Sequence, residues 1–209
     1  RTVAAASLTT AGTRFSAGFS PLMGGVVMTP FPHALRHGWT TDDAVDFALA
    51  ELDYLMATRV DAREIAALLI EPVLGDGGYL PTPPRFLAGL RERADRHGIL
   101  LVIDEVQAGV GRTGKFWGHQ HSAATPDIVI TAKGLASGFP ISAIAASAEL
   151  MSKGWPGSQG GTYGGNAVAA AAAVATLDVV RDEGLVENAR IRGEQLGAGL
   201  AALQAEFPQ

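Results

Sequence analysis

Ile99-Leu100-Leu101-Val102-Ile103-Asp104-Glu105 is the stretch that decides the fold. Five successive apolar residues leave neither alternating face polar, as a central parallel strand covered on both sides requires. The run starts just after His97-Gly98, a helix stop. Upstream, Thr82-Pro83 opens that helix with proline at the first position, and Phe86, Leu87, Leu90 and Ala94 form its buried stripe. Residues 66–70 are a second buried strand, ending in Glu71-Pro72 and followed by the loop Gly75-Asp76-Gly77-Gly78. Earlier still, Thr40 caps a helix, with Asp43 reaching back and Ala44, Ala48, Leu52, Leu55 and Met56 on one face. Residues 1–32 read as loop with short strands. Downstream, residues 127–130 and 141–146 are further strands. Asn166 caps an alanine-rich helix closed by Gly184, and residues 185–207 are helical again. Strands alternating with helices predict an α/β fold, a mostly parallel sheet with helices on both faces. Residues 1–184 form one domain and residues 185–209 a trailing helix.

Composition narrows the function. The 209 residues are 47% hydrophobic and 18% charged, too apolar for a disordered chain. No cysteine is present, which excludes a disulfide scaffold or a cysteine-ligated zinc site. A net charge of −5 argues against nucleic acid as a partner. The longest apolar run, residues 167–175, is too short to span a membrane, and residues 1–16 lack the order of a signal peptide. A cytoplasmic location is expected.

Open α/β sheets bind ligands at the carboxyl ends of their strands. Glu71, Asp104-Glu105 and Lys133 stand at three such ends. Asp104 alone would read as a turn cap. Lys133 is odder, because a lysine is almost never fully buried without a partner, and Ala132, Gly134, Leu135 and Ala136 offer none. A desolvated lysine becomes a nucleophile for carbonyl groups. Asp104 lies 29 residues before it, one crossover unit. Pyridoxal phosphate needs this pair: an amine for its aldehyde, and a carboxylate to keep its pyridine nitrogen protonated.

Four motifs carry a resemblance. They are Glu71-Pro72-Val73-Leu74-Gly75-Asp76-Gly77-Gly78-Tyr79, the run from Ile103-Asp104-Glu105-Val106-Gln107 to Gly111-Arg112-Thr113-Gly114, Pro126-Asp127-Ile128 with Ala132-Lys133-Gly134-Leu135, and Gly161-Thr162-Tyr163-Gly164-Gly165-Asn166. Together they resemble the class-III aminotransferases, which are pyridoxal 5'-phosphate enzymes of fold type I. The resemblance implies roles. Lys133 would form the Schiff base and shuttle the proton, and Asp104 would pair with the pyridine nitrogen. Val106 would pack on a ring face, and Gln107 would bond the ring oxygen. Thr162 would bind the phosphate of a neighbouring subunit's cofactor, which implies a homodimer with shared active sites. Glu71 would gate substrates by pairing with an arginine. No metal is implied. The implied reaction is ping-pong transfer between an amino donor, an ω-amino acid or one with a distal amine, and a 2-keto acid. Pro30-Phe31-Pro32 and the Glu71 motif resemble the 4-aminobutyrate branch. Ala108, Val110 and Ala167 depart from residues common in the family.

The family's amino-terminal phosphate loop and stacking aromatic, and its carboxyl-terminal small domain with a carboxylate-binding arginine, have no counterpart here. The chain is therefore expected to be the middle of a large domain, incomplete at both ends. Isolated, it is expected to bind cofactor weakly, to be inactive and to associate through uncovered apolar surface. Decarboxylating relatives share the fold and remain an alternative. A distant one is a dinucleotide-binding oxidoreductase, because Gly109-Val110-Gly111-Arg112-Thr113-Gly114 fits G-x-G-x-x-G. Against it, no acidic residue stands about twenty positions on. His119-Gln120-His121 reads as a solvated loop with no carboxylate near in sequence.

Overall fold

The computed structural model describes residues 2–207; Arg1, Pro208 and Gln209, where the expected segments begin and end, lie outside the described residues. Helix α1 (Val3–Leu8) comes first, then a 3-10 turn at Thr13–Phe15 and a short helix α2 (Ala34–His37). No strand forms among the described residues of this region, contrary to expectation. The cause is local: Ala4, Ala5 and Ala6 lose no side-chain entropy in a helix. Ser7 Oγ also donates to Val3 O and accepts from Met23 N, tying the helix to the following loop.

Helix α3 (Thr41–Thr58) starts where Thr40 predicts: the hydroxyl accepts from Asp43 N and donates to the Asp43 carboxylate. Strand β1 (Ala67–Ile70) follows, then an antiparallel pair, β2 (Val73–Leu74) and β3 (Leu80–Pro81). Two-residue strands have no period, so nothing in the sequence foretells this pair. Helix α4 (Pro84–His97) begins one residue later than expected, with Pro83 as its cap and Pro84 in the first turn. Gly98 ends it in the left-handed region at φ 69°, donating to Ala94 O. The remaining elements are β4 (Leu100–Asp104), β5 (Ile128–Thr131), β6 (Ala143–Ala146), α5 (Ala148–Met151), α6 (Ala167–Asp182) and α7 (Leu185–Glu206).

The main sheet runs β1-β4-β5-β6. The first three strands are parallel and β6 is antiparallel, so the sheet is mixed but mostly parallel. Leu101 and Ile103 point into a core with Leu52, Phe86, Leu87 and Leu90 from α3 and α4. Burying each such side chain contributes about 1.5–3 kcal/mol. Gly89 lets the two helices close, since a Cβ there would stand 2.6 Å from Leu49 Cδ1. The opposite face, carrying Leu69, Val102, Ile128 and Ala146 in register, is only partly covered. The expectation of cover on both faces is met on one.

Asp127 joins these layers. Its Oδ2 accepts from Leu101 N at 2.7 Å and from Arg91 Nη1 at 2.7 Å, fixing β4, the start of β5 and α4 together. Partial burial pushes its carboxyl upward, but the Arg91 hydrogen bond, the Leu101 N–H and the Arg91 charge hold it below the usual range. Helix α6 is capped by Asn166 Oδ1 and buries Ala169 and Ala173, while α7 buries no residue. Among the described residues, no helix is long and apolar enough to cross a membrane.

Candidate active site

Parallel pairing places the carboxyl ends of β1, β4 and β5 side by side, with Ile70 opposite Ile103 and Asp104 opposite Ile130. Glu71, Asp104 and Lys133 leave the sheet at these ends. They line one cavity of about 200 Å³ together with Val106, Gln107, Gly75, Asp76, Thr9 and Ala11. A second cavity, of about 380 Å³, adjoins it, and Val106, Gln107 and Lys133 line both.

Lys133 differs from its sequence reading. It is exposed, and its Nζ donates to Gln107 Oε1. The expected burial is absent, and the side chain has a partner from the turn after β4, 26 residues away, that its sequence neighbours could not reveal. Its backbone is left-handed, at φ 42°. Asp104 does cap a turn, its Oδ1 accepting from Val106 N at 2.9 Å. Among the described residues Oδ2 has no hydrogen-bond partner, so the capping role leaves one carboxylate oxygen unengaged. Glu71 is half-buried and accepts from Gly75 N at 3.0 Å. Burial pushes its carboxyl above the usual range, aided by the charges of Asp104 and Asp76 and opposed by the Gly75 N–H and Lys133.

Thr162 is not brought to this cavity. It sits on an exposed turn before α6 and lines neither cavity.

Glu105 is a residue whose place the sequence did not show. It is 1% exposed, and its carboxylate accepts from Gly118 N, His119 N and His119 Nδ1, each at 2.8 Å. His119 is therefore held on a carboxylate that is distant in sequence, which corrects the reading of a solvated loop. The alternation of Asp104 and Glu105 across the strand end was the available signal: one carboxylate must face away from the other. No group of three or more metal-ligating side chains occurs among the described residues.

Residues 109–114 form turns, and a 3-10 turn at Gly118–His121 follows where a dinucleotide site would need an α-helix. The glycines serve packing instead. A Cβ on Gly114 would stand 2.9 Å from Arg190 Cα of α7, and one on Gly109 would stand 2.8 Å from Glu105 O.

The donor set suits pyridoxal phosphate. It offers an amine, a carboxylate with a free oxygen, an amide and the apolar Val106 around one cavity. The aminotransferase class-III family profile matches residues 1–209. The chain belongs to the class-III aminotransferase family. It is 40% identical over 208 residues to the 5-aminovalerate aminotransferase DavT of Pseudomonas putida, covering 100% of this chain and 48% of that protein. Acetylornithine aminotransferase of Corynebacterium efficiens is 42% identical, with 84% and 39% covered, and the 4-aminobutyrate aminotransferase GabT of Escherichia coli 38%, with 93% and 45% covered. A solved amine transaminase from an uncultivated Pseudomonas species, in its PLP-bound form, superposes with a TM-score of 0.82 at 33% identity over 94% of this chain and 47% of that one. This class-III chain thus spans about half the length of the curated relatives it matches.

Proposed function

We propose that the protein carrying this chain is a pyridoxal phosphate-dependent transaminase that moves an amino group from an ω-amino donor to a 2-keto acid, the two substrates using one site in turn. The observation that carries the reading is the meeting of Lys133, Gln107, Asp104 and Glu71 at three adjacent parallel strand ends. When bound, the cofactor supplies an aldehyde for amines and a ring that draws electrons from the carbon bearing the amine.

The chain's own residues divide the remaining work. Lys133 Nζ would hold the cofactor and would move the proton at that carbon. The unengaged oxygen of Asp104 keeps a proton on the ring nitrogen, since a nearby negative charge favours the cationic form. Val106 would pack on the ring face, and Gln107, which accepts from Lys133 Nζ, would bond the ring oxygen. Glu71, poised with a raised proton affinity beside Lys133, admits or excludes a second substrate carboxylate. Thr162 takes the phosphate of a second copy's cofactor, which accounts for its distance from this cavity and makes the working unit a homodimer. The donor follows the 5-aminovalerate and 4-aminobutyrate aminotransferases among the relatives.

The test uses the full protein with added pyridoxal phosphate. The expected results are a visible absorption band bleached by borohydride, its loss in Lys133→Ala, and amine transfer from 5-aminovalerate or 4-aminobutyrate to 2-oxoglutarate or pyruvate. Asp104→Asn is expected to cut turnover by on the order of 100-fold or more with folding intact. A Lys133→Ala protein that keeps its activity would sink the proposal.

A further inference from the structure

We infer that Gly75 is a positioning residue for Lys133, acting through Gln107. The inference rests on the reading of Lys133 as the cofactor's amine. Gly75 is not in a glycine-only backbone conformation, so its missing side chain, and not its flexibility, is what the site uses. A Cβ at this position would stand 3.0 Å from Gln107 Cγ, 3.2 Å from Cδ and 3.4 Å from Nε2. The whole Gln107 side chain thus lies across the bare face of residue 75.

The loop cannot retreat to make room. Gly75 N donates to Glu71 Oε2, and Gly75 O accepts from Gly78 N and Tyr79 N. Residue 75 is held on both sides by the turn that joins β2 to β3. Gln107 is the flexible party, so it must give by a few tenths of an ångström when residue 75 gains a methyl group. Gln107 Oε1 is the hydrogen-bond partner of Lys133 Nζ. The Gln107 contact ties down the end of the lysine side chain, so displacing Gln107 frees the amine to meet a carbonyl group.

The chain has three lysines, Lys115, Lys133 and Lys153, which makes the effect measurable without the cofactor. The full protein, free of pyridoxal phosphate, is treated with acetaldehyde and borohydride, and peptide mass spectrometry reads the labelling rate of Lys133 against the other two. Gln107→Ala is expected to raise the relative rate at Lys133 several-fold. Gly75→Ala should raise it in the same direction by a smaller factor, and should add nothing in the Gln107→Ala background. An unchanged Lys133 rate in Gly75→Ala, or effects that add, would overturn the inference. Should Gly75→Ala fail to fold, the double variant decides: recovery on shortening residue 107 supports the contact, and no recovery refutes it. Since this assay contains no pyridoxal phosphate, a protein that labels as expected but shows no borohydride-bleached band on adding cofactor would refute the proposed function and leave the positioning role intact.

Discussion

Helices α4 and α7 both carry apolar residues along their length, yet they sit in opposite surroundings. Helix α4 buries Phe86, Leu87, Leu90 and Ala94 against α3 and the sheet. Its arginines are tied down: Arg91 to Asp127 and Arg93 to Asp53. Helix α7 leaves Ile191, Leu196, Leu200 and Leu203 exposed, and its ion pairs, Arg190 with Glu187 and Glu194, lie along its own surface. A stripe in the sequence shows that a helix has a face; it does not show what covers the face. Stability in this chain is therefore expected to concentrate on the α3–α4 side of the sheet.

The largest test of that contrast pairs two leucines. Leu101→Ala opens a cavity under α4 and should cost about 2–5 kcal/mol in a denaturant titration, whereas Leu203→Ala should stay within about 0.5 kcal/mol. Equal costs would break the comparison. Next comes Glu105→Ala, which strips the acceptor from Gly118 N, His119 N and the His119 ring. At about 1–3 kcal/mol for a buried donor left unpaired, a loss of roughly 3 kcal/mol is expected, and a neutral result would make the knot a surface ornament. A smaller effect is expected from Asp127→Asn, on the order of 1 kcal/mol after discounting for a carboxylate about a third exposed. Because the folded protein holds this group below its unfolded range, its contribution is present above that range and fades as pH falls through the folded value. Wild type and Asp127→Asn should therefore converge in acid.

Glu71 should show the smallest effect, and the opposite slope. Its carboxyl is raised by burial, so the folded state holds the proton more tightly than the unfolded state does. Wild type should be most stable relative to Glu71→Gln below the ordinary glutamate range, losing that advantage as pH rises through the folded value. Thermal midpoints across pH 3–8 read the difference. A wild type that gains on Glu71→Gln with rising pH would show that the hydrogen bond from Gly75, and not burial, governs this carboxylate.

How much of this was legible in the sequence depends on range. The ends of β1, β4 and β5 are legible because each apolar run stops at a polar or proline-marked residue, and parallel pairing then brings Glu71, Asp104 and Lys133 together. The Thr40 and Asn166 caps are legible because capping is decided within three residues. Partners chosen across the fold are not: Gln107 for Lys133, and His119 for Glu105. The antiparallel direction of β6 is hidden for the same reason, since Ala143–Ala146 are apolar whichever way they run. Thr162 was legible as a motif, but its placement away from the cavity was not.

One consequence of the Lys133 backbone remains. A residue with a side chain held left-handed costs about 1–2 kcal/mol, a cost that glycine would not incur. Considered as scaffold, position 133 would favour glycine, the residue already found next to it at 134. Screening variants of this chain for heat resistance alone would thus tend to discard its one amine at the strand ends. A Lys133→Gly variant that melts later than the parent would be a better folder that has lost its chemistry, and thermal shift alone would be a misleading guide to improving this protein.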